Sequence, residues 1–387
     1  MNLAARIRRP SQTALRSNAS TRSIYYFDIV HDYPEMGGVV EFSRILFRQL
    51  RTHYGPRLVS VREMTAVIGC AHADMLYLDR ERRVAEILTA VDPASVFFFP
   101  NFQSPVARRA DGGGPAVVNV IHDVQFAFLT ELFPAERRRW LHETFAETKQ
   151  NADRIVFISQ STQRDFISLF GKPRRHTVIY NPVEIGEGGG AAARDDETPF
   201  LLASFHHHPH KNFSGLLSLF AAVSERVQGL MLVVTGHGRA RLDQDIASLP
   251  EAARSRVRHL GYVPRQDLDG LYRRARAFIT LSRFEGFNLS AAEAACHGAP
   301  LILSDLPVHR ELFGAQACFV DLAASCDESA GKVAAYLSDR RPPKTWRFRS
   351  ICLPSKVGAA YVRIIESVNR RSSQSEIRPP TALATRP

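Results

Sequence analysis

Four segments of this 387-residue chain carry residue types that could act on an anionic, hydroxyl-rich ligand. The richest is LSRFEGFNLSAAEAACHGAPLILSDLPVHREL, residues 281–312. There a strand-like run gives way to a loop with Glu285, Gly286, Phe287 and Asn288, and then to a helix expected from about Ser290. A helix start offers backbone N–H groups with no intrahelical partner and the positive end of the helix dipole, so Asn288, Leu289 and Ser290 are candidates to hold phosphate oxygens. Glu285 and Glu293, eight residues apart, could hold the hydroxyls of a polyol joined to that phosphate. Glu293 also has a local reading: Ser290-Ala-Ala-Glu293 has capping-box spacing, in which the carboxylate bonds back to the cap amide and only stabilises the helix.

The second segment, SFHHHPHKNFSGLL, residues 204–217, puts Lys211 before a helix that Asn212 could cap; a fixed ammonium suits a leaving diphosphate, and the competing reading is a solvated surface lysine. Its histidines, His206, His207, His208 and His210, do not make a metal site, because adjacent side chains in extended backbone point to opposite sides. In the third, HDYPEMGGVVEFSR, Gly37 and Gly38 would let backbone amides approach a phosphate or sugar closely, or simply make a tight turn. In the fourth, VIHDVQFAFLTELFP, His122 and Asp123 fall at the end of an expected strand, where the histidine either faces a ligand or is satisfied by Asp123. Two Asp-x-Asp strings, Asp243/Asp245 and Asp267/Asp269, fall on or beside expected helices, where side chains two apart diverge. They read as solvated surface, and no metal is expected. TGHGRAR, residues 235–241, has only two glycines of the GxGxxG spacing, which disfavours a nicotinamide enzyme.

These segments need a scaffold, and the pattern around them supplies one. Short β-rich runs alternate with amphipathic stretches, the signature of βα units around parallel sheets. A first series spans residues 24–184, with strands expected at 24–31, 57–61, 95–100, 116–122, 154–159 and 176–180 and helices at 39–52, 80–90, 135–151 and 160–170. The Gly-rich, polar stretch 185–199 reads as a linker. A second series, 200–355, has strands expected at 200–205, 230–236, 257–262, 277–282 and 300–305, with helices near 213–227, 239–248, 266–275 and 290–297. The fold class is therefore α/β, two doubly wound parallel-sheet domains facing each other across a cleft, since open sheets bind ligands beyond the carboxyl ends of their strands. Residues 356–368 have helical spacing and are expected to pack back on the first domain.

Composition narrows the function classes. With 45% apolar and 23% charged residues the chain is that of a globular protein, and no apolar run reaches the ~18 residues of a membrane helix. The net charge of +11 suggests a polyanion partner, yet residues 1–23 hold five Arg and no acid while residues 369–387 hold four Arg against Glu376. Most of the excess thus sits in two basic tails, both expected to be disordered, and a nucleic-acid groove is not indicated. The first tail also has the composition of an organelle transit peptide. Five scattered cysteines, none in a CxxC pair, fit a reducing, cytoplasmic setting without disulfides or zinc. PAERRRWLHETF, residues 134–145, clusters Arg137, Arg138 and Arg139 beside Trp140, either a solvated basic face or one able to rest on an anionic membrane.

The EGFNLSAAEA stretch resembles the EGFGLPxxEA loop of family 4 glycosyltransferases, retaining enzymes with the two-domain GT-B fold. Asn288 stands where that loop usually has Gly, and Ser290 where it usually has Pro. The resemblance implies that Glu285 contacts the donor sugar and Glu293 the nucleotide ribose. HHHPHKN resembles the family's GRLxPRKN, so Lys211 would bind pyrophosphate, with His206 at or next to the position of the missing Arg. His122 resembles the HD histidine beside the donor sugar, and Gly37-Gly38 the family's Gly-rich loop. The implied activity is metal-independent transfer of a hexose, mannose-type or glucose-type, from a GDP- or UDP-sugar to a glycan or lipid-linked acceptor in surface polysaccharide or lipopolysaccharide synthesis. No cofactor is implied, and the membrane contact would be peripheral. Two alternatives remain at this point: a GT-B epimerase or phosphorylase, and a non-enzymatic polyanion binder acting through the Arg tails.

Overall fold

The computed structural model describes residues 22–28, 31, 37–60, 91–101, 114–186, 198–204, 208–236, 239–339 and 350–375. Two six-stranded sheets follow one another along the chain, and every strand pair in both is parallel. The first contains β1 (Ile24–Tyr26), β2 (Leu58–Ser60), β3 (Val96–Phe99), β4 (Ala116–Ile121), β5 (Arg154–Phe157) and β6 (His176–Val178), in the order β2-β1-β3-β4-β5-β6. Helices α1 (Gly38–Tyr54), α2 (Ala135–Asn151) and α3 (Gln160–Phe170) accompany it. The second contains β7 (Phe200–Ser204), β8 (Met231–Thr235), β9 (Val257–Gly261), β10 (Ala277–Thr280), β11 (Leu301–Ser304) and β12 (Cys318–Val320), in the order β12-β11-β10-β7-β8-β9. Its helices are α4 (Phe213–Arg226), α5 (Arg239–Ala247), α6 (Glu251–Arg254), α7 (Arg265–Arg274), α8 (Leu289–Cys296), α9 (Pro307–Phe313) and α10 (Cys326–Ser338). A long last helix, α11 (Pro354–Ser375), completes the described chain.

The sequence explains why these elements form. A parallel strand covered by helices on both faces must be apolar on both, and β3 (VFFF) and β4 (AVVNVI) are buried at every position. On α1 the apolar residues Val40, Phe42, Ile45, Leu46, Leu50 and Tyr54 recur at helical spacing and are all buried. Helix α11 lies against α1: Tyr361 packs edge-on to Phe42 and Phe98, and Tyr54 donates to Glu366 Oε1 at 3.2 Å. It runs to Ser375, so the backbone of residues 369–375 is helical where the sequence suggested a tail. The expected helix at 80–90, the first 21 residues, residues 376–387 and most of the linker lie outside the described residues.

Strand order locates the site. In the second sheet the chain starts at β7, winds out to β9, then returns to β10 on β7's other side, so the crossovers after β7 and β10 run in opposite directions. Such a reversal opens a crevice at the carboxyl ends of the two strands. Lys211 follows β7 and Glu285 follows β10. In the first sheet the same reversal lies between β1 and β3, and Gly37 follows β1 in the chain at the start of α1.

Candidate functional site

Lys211 and Glu285 meet at that reversal. Nζ of Lys211 lies 2.7 Å from Glu285 Oε1, and the Ser282 hydroxyl donates to the same oxygen at 2.7 Å. The Glu285 side chain is 8% exposed and that of Lys211 25%, so the pair is largely withdrawn from water and the solvated-lysine reading does not hold. Burial pushes the Glu285 carboxyl up, but the Lys211 ammonium, its hydrogen bond and His210 outweigh it and hold the group below its usual range. Glu285 is therefore ionised at neutral pH.

Helix α8 starts one residue earlier than expected, at Leu289, with Asn288 rather than Ser290 at its cap. Asn288 is left-handed, with φ 70°, and its Oδ1 accepts the Ala291 N–H at 3.2 Å. The capping-box reading of Glu293 fails for the same reason: its carboxylate takes Arg265 Nη1 at 2.5 Å and the Tyr272 hydroxyl at 3.1 Å instead. Burial raises the Glu293 carboxyl, and those partners only partly offset it. Asn212 likewise occupies the cap of α4 in a left-handed conformation, φ 50°, but its side chain makes no capping bond.

Around Glu293 the structure corrects a second expectation. Asp269, read as solvated, is 1% exposed: Arg265 Nε lies 3.1 Å and His297 Nε2 3.0 Å from its Oδ1, and Gly186 N–H donates to its Oδ2 at 3.1 Å. Helix α7 presents Arg265 and Asp269 one turn apart toward α8, while Asp267 of the same string is exposed as expected. Arg265 also donates to the Glu184 carbonyl, while the Glu184 carboxylate takes Arg48 of α1 at 2.7 Å. Glu293 is thus tied to the start of the connector between the two halves. Asp243 is exposed, and among the described residues no group of three or more His, Cys, Asp or Glu is placed to hold a metal ion.

From the first half, His122 caps the carboxyl end of β4. It is 6% exposed, packs edge-on to Phe42, and its Nε2 lies 2.8 Å from the Pro100 carbonyl. A carbonyl only accepts, so Nε2 carries the proton and Nδ1 the lone pair. Burial lowers its pKa to about 4, with the Pro100 bond opposing, and the ring is neutral. Asp123 does not satisfy His122, as one reading had it; its Oδ1 accepts the Gln125 N–H at 3.0 Å. Gly37 sits at the cap of α1 with φ 44°, a conformation that favours glycine.

The halves touch where these residues lie. A Cβ on Gly38 would come within 3.9 Å of Leu289 Cβ, so the starts of α1 and α8 adjoin, bringing two positive dipole ends together near Lys211 and Glu285. The Gly286 carbonyl accepts from Ser159 Oγ at 2.7 Å, and Thr162 Oγ1 lies 3.3 Å from it and 3.1 Å from the His122 carbonyl. Glu311 of α9 accepts the Gln160 and Ser161 N–H groups at 2.7 and 2.8 Å, capping α3 from the other half. Phe128 stacks on Phe284 at 5.5 Å beside the Arg283–Glu131 pair at 2.6 Å. Of the expected site residues, Gly37, Gly38, His122, Lys211, Glu285, Asn288, Leu289, Ser290 and Glu293 fall in this region, and His206 lies outside the described residues. Sequence reasoning missed Arg265, Tyr272, Ser159, Thr162 and Glu311, and also His309 of α9, whose Nε2 lies 2.9 Å from Asn288 Nδ2. Ser159 carried a signal, a hydroxyl before an amphipathic helix, but it pointed to capping alone.

Residues 44–187 match Glycosyltransferase Family 4 and residues 190–350 match Glycosyl transferases group 1. The chain belongs to this glycosyltransferase family. Among relatives, it is 25% identical over 265 residues to O-antigen chain mannosyltransferase B of Escherichia coli, covering 65% of this chain and 66% of that protein. It is also 25% identical over 197 residues to the GDP-mannose:cellobiosyl-diphosphopolyprenol alpha-mannosyltransferase of Xanthomonas campestris, 50% of each. The chain thus spans between about half and two thirds of the length of these two relatives. The glycosyltransferase fold extends further: the lipopolysaccharide outer core galactosyltransferase WaaB superposes with a TM-score of 0.62 at 16% identity, over 92% of this chain and all of that one. Anabaena Alr3699/HepE, solved with UDP and glucose, gives 0.58 at 16% identity over 92% of this chain and 99% of that one. The two facing sheets are those of a GT-B glycosyltransferase.

Proposed function

We propose that the chain is a retaining hexosyltransferase that moves a mannose-type or glucose-type residue from a nucleotide-diphosphate sugar to a hydroxyl of a glycan or lipid-linked acceptor. Surface polysaccharide or lipopolysaccharide synthesis is the setting its relatives' names suggest, and GDP-mannose, which the name of the Xanthomonas campestris relative carries, comes first as donor. The observation that carries the reading is the buried Lys211–Glu285 pair at the strand-order reversal, set beside the adjoining starts of α1 and α8.

Breaking the anomeric C–O bond leaves negative charge on the diphosphate and positive charge on the sugar ring. Lys211, the N–H groups at Asn288 to Ser290 and those after Gly37 and Gly38 stabilise the first, in a site withdrawn from water. Ionised Glu285 and neutral His122 hold the hexose, and Glu293 holds the ribose, with Arg265 and Tyr272 fixing its carboxylate. The acceptor hydroxyl forms the new C–O bond on the face the diphosphate leaves, and its proton passes to a leaving phosphate oxygen. No metal or cofactor takes part. The acceptor side rests on the first half, and Arg137 of α2, stacked over Trp140 on the same helix face, meets an anionic membrane peripherally from the cytoplasmic side.

A thermal-shift series with GDP, UDP and ADP and their sugars, followed by labelled transfer to lipid-linked acceptor, tests this. A donor at a hundred times its dissociation constant stabilises the folded chain by about 2.7 kcal/mol. Lys211→Ala is expected to cut kcat by about 100-fold or more, the scale set by removing one preorganised charge stabiliser. Absence of stabilisation by every nucleotide, or a product that is an epimerised donor formed without acceptor, would overturn the reading.

A further inference from the structure

His309, on α9, is a fully buried histidine that the mechanism above does not use. Its Nδ1 lies 2.7 Å from the Ser304 carbonyl and its Nε2 lies 2.9 Å from Asn288 Nδ2. The carbonyl accepts only, so Nδ1 must carry the proton, leaving a lone pair on Nε2. That lone pair needs a donor, and the Asn288 amide supplies it. The amide's orientation is fixed independently, because its Oδ1 takes the Ala291 N–H at 3.2 Å and Nδ2 is then the atom left to face the ring. Burial holds the imidazole below its ordinary pKa, so the ring is neutral at neutral pH.

The residue held in this way is strained. Asn288 has φ 70° and ψ 74°, a left-handed conformation that is unfavourable for an L-residue, less so for Asn than for most. It is also the cap from which the N–H groups at the start of α8 are aimed. Glycine would adopt this conformation without help; asparagine does so with both ends of its amide engaged.

We propose that His309, as the neutral Nδ1-protonated tautomer, is a positioning residue that locks Asn288 and so aims the amides at the start of α8 at the donor diphosphate. The inference rests on the proposed function for what the amides bind, but the lock itself is a property of two side chains.

The coupling is testable because Asn288→Gly removes both the strain and the need for the lock. GDP affinity is measured by calorimetry for His309→Leu in the unaltered chain and in the Asn288→Gly background. The expected loss is about tenfold in the first and under about threefold in the second, a coupling within the range found for contacting residues. Equal losses in both backgrounds, or none in either, would overturn the proposal. A measurement on the unaltered chain stands beside it in case the leucine variant does not fold. In long-range proton–nitrogen spectra of histidine-labelled protein, with the resonance assigned by His309→Gln, His309 should show a protonated Nδ1 and a bare Nε2. The opposite tautomer, or an imidazolium at pH 7.5, sinks the lock. Should the unaltered chain bind no nucleotide, the functional reading fails. The tautomer, and the same cycle read in thermal unfolding, then still decide the inference: non-additive losses support it and additive losses refute it.

Discussion

Gly286→Ala is the sharpest perturbation the structure offers, because the glycine is required by space alone. An added Cβ would lie 2.0 Å from the His122 carbonyl oxygen, 3.1 Å from its carbon and 3.2 Å from Asp123 Cβ. The first of these is backbone, so no side chain can rotate away. Real Cβ contacts start near 3.0 Å, so the two loops must separate by about 1 Å. That shift stretches the Ser159 bond to the Gly286 carbonyl, now 2.7 Å, and the weaker Thr162 contact at 3.3 Å. Each such bond contributes about 0.5–1.5 kcal/mol. The larger effect is on catalysis. Glu285 is the neighbour of Gly286 and His122 belongs to the opposing loop, so the two residues proposed to hold the hexose move relative to each other, and a misplacement of ~1 Å can cost about 100-fold in rate. Affinity for free GDP should change less, since Lys211 and the start of α8 both belong to the second half and only the N–H groups after Gly37 and Gly38 lie on the first. The assay is steady-state transfer with parallel calorimetry of nucleotide binding. A folded Gly286→Ala chain whose kcat stays within about threefold of the original would refute the claim that this loop contact sets the hexose geometry.

Two further outcomes follow from the buried polar groups. His122 has its pKa lowered by burial from 6.5 to about 4, so above pH 6.5 it is neutral whether the chain is folded or not, and as pH falls toward 4 only the unfolded chain takes the proton. Stability should therefore be lost on acidification by about 3 kcal/mol from this group, at ~1.4 kcal/mol per pH unit, and urea unfolding of His122→Gln should lack that component of the acid slope. Parallel slopes in the two chains would show that His122 does not drive it. Glu311→Ala strips α3 of the carboxylate that holds its first two N–H groups across the seam, with an expected loss of about 1–2 kcal/mol in urea unfolding. An unchanged midpoint would mean water caps α3 equally well.

What could be read from the chain alone followed from short-range rules. The two series of βα units are legible because strands buried on both faces must be continuous apolar runs, as in VFFF and AVVNVI, while helices carry an apolar stripe at their own period. Lys211, Glu285 and His122 were placed at carboxyl strand ends, where such sheets bind ligands, but it was the resemblance of their loops to those of family 4 glycosyltransferases that singled them out. Local rules also misled. Ser290-x-x-Glu293 has capping-box spacing, yet Asn288 takes the cap and Arg265 and Tyr272 claim the carboxylate. Asp269 looked solvated on a polar helix, yet a histidine and an arginine enclose it.

The residues that only the tertiary structure revealed share one feature: their partners are remote in sequence. Glu311 caps a helix some 150 residues away, Ser159 meets a carbonyl 127 residues on, and His309 and Asn288 adjoin only because β11 returns the chain to the start of α8. Spacing encodes what a residue offers, a carboxylate, a lone pair or freedom from a Cβ. Which group receives the offer depends on how the sheets are wound and how the two halves abut, and those distances are set by packing across the whole chain rather than by any local pattern.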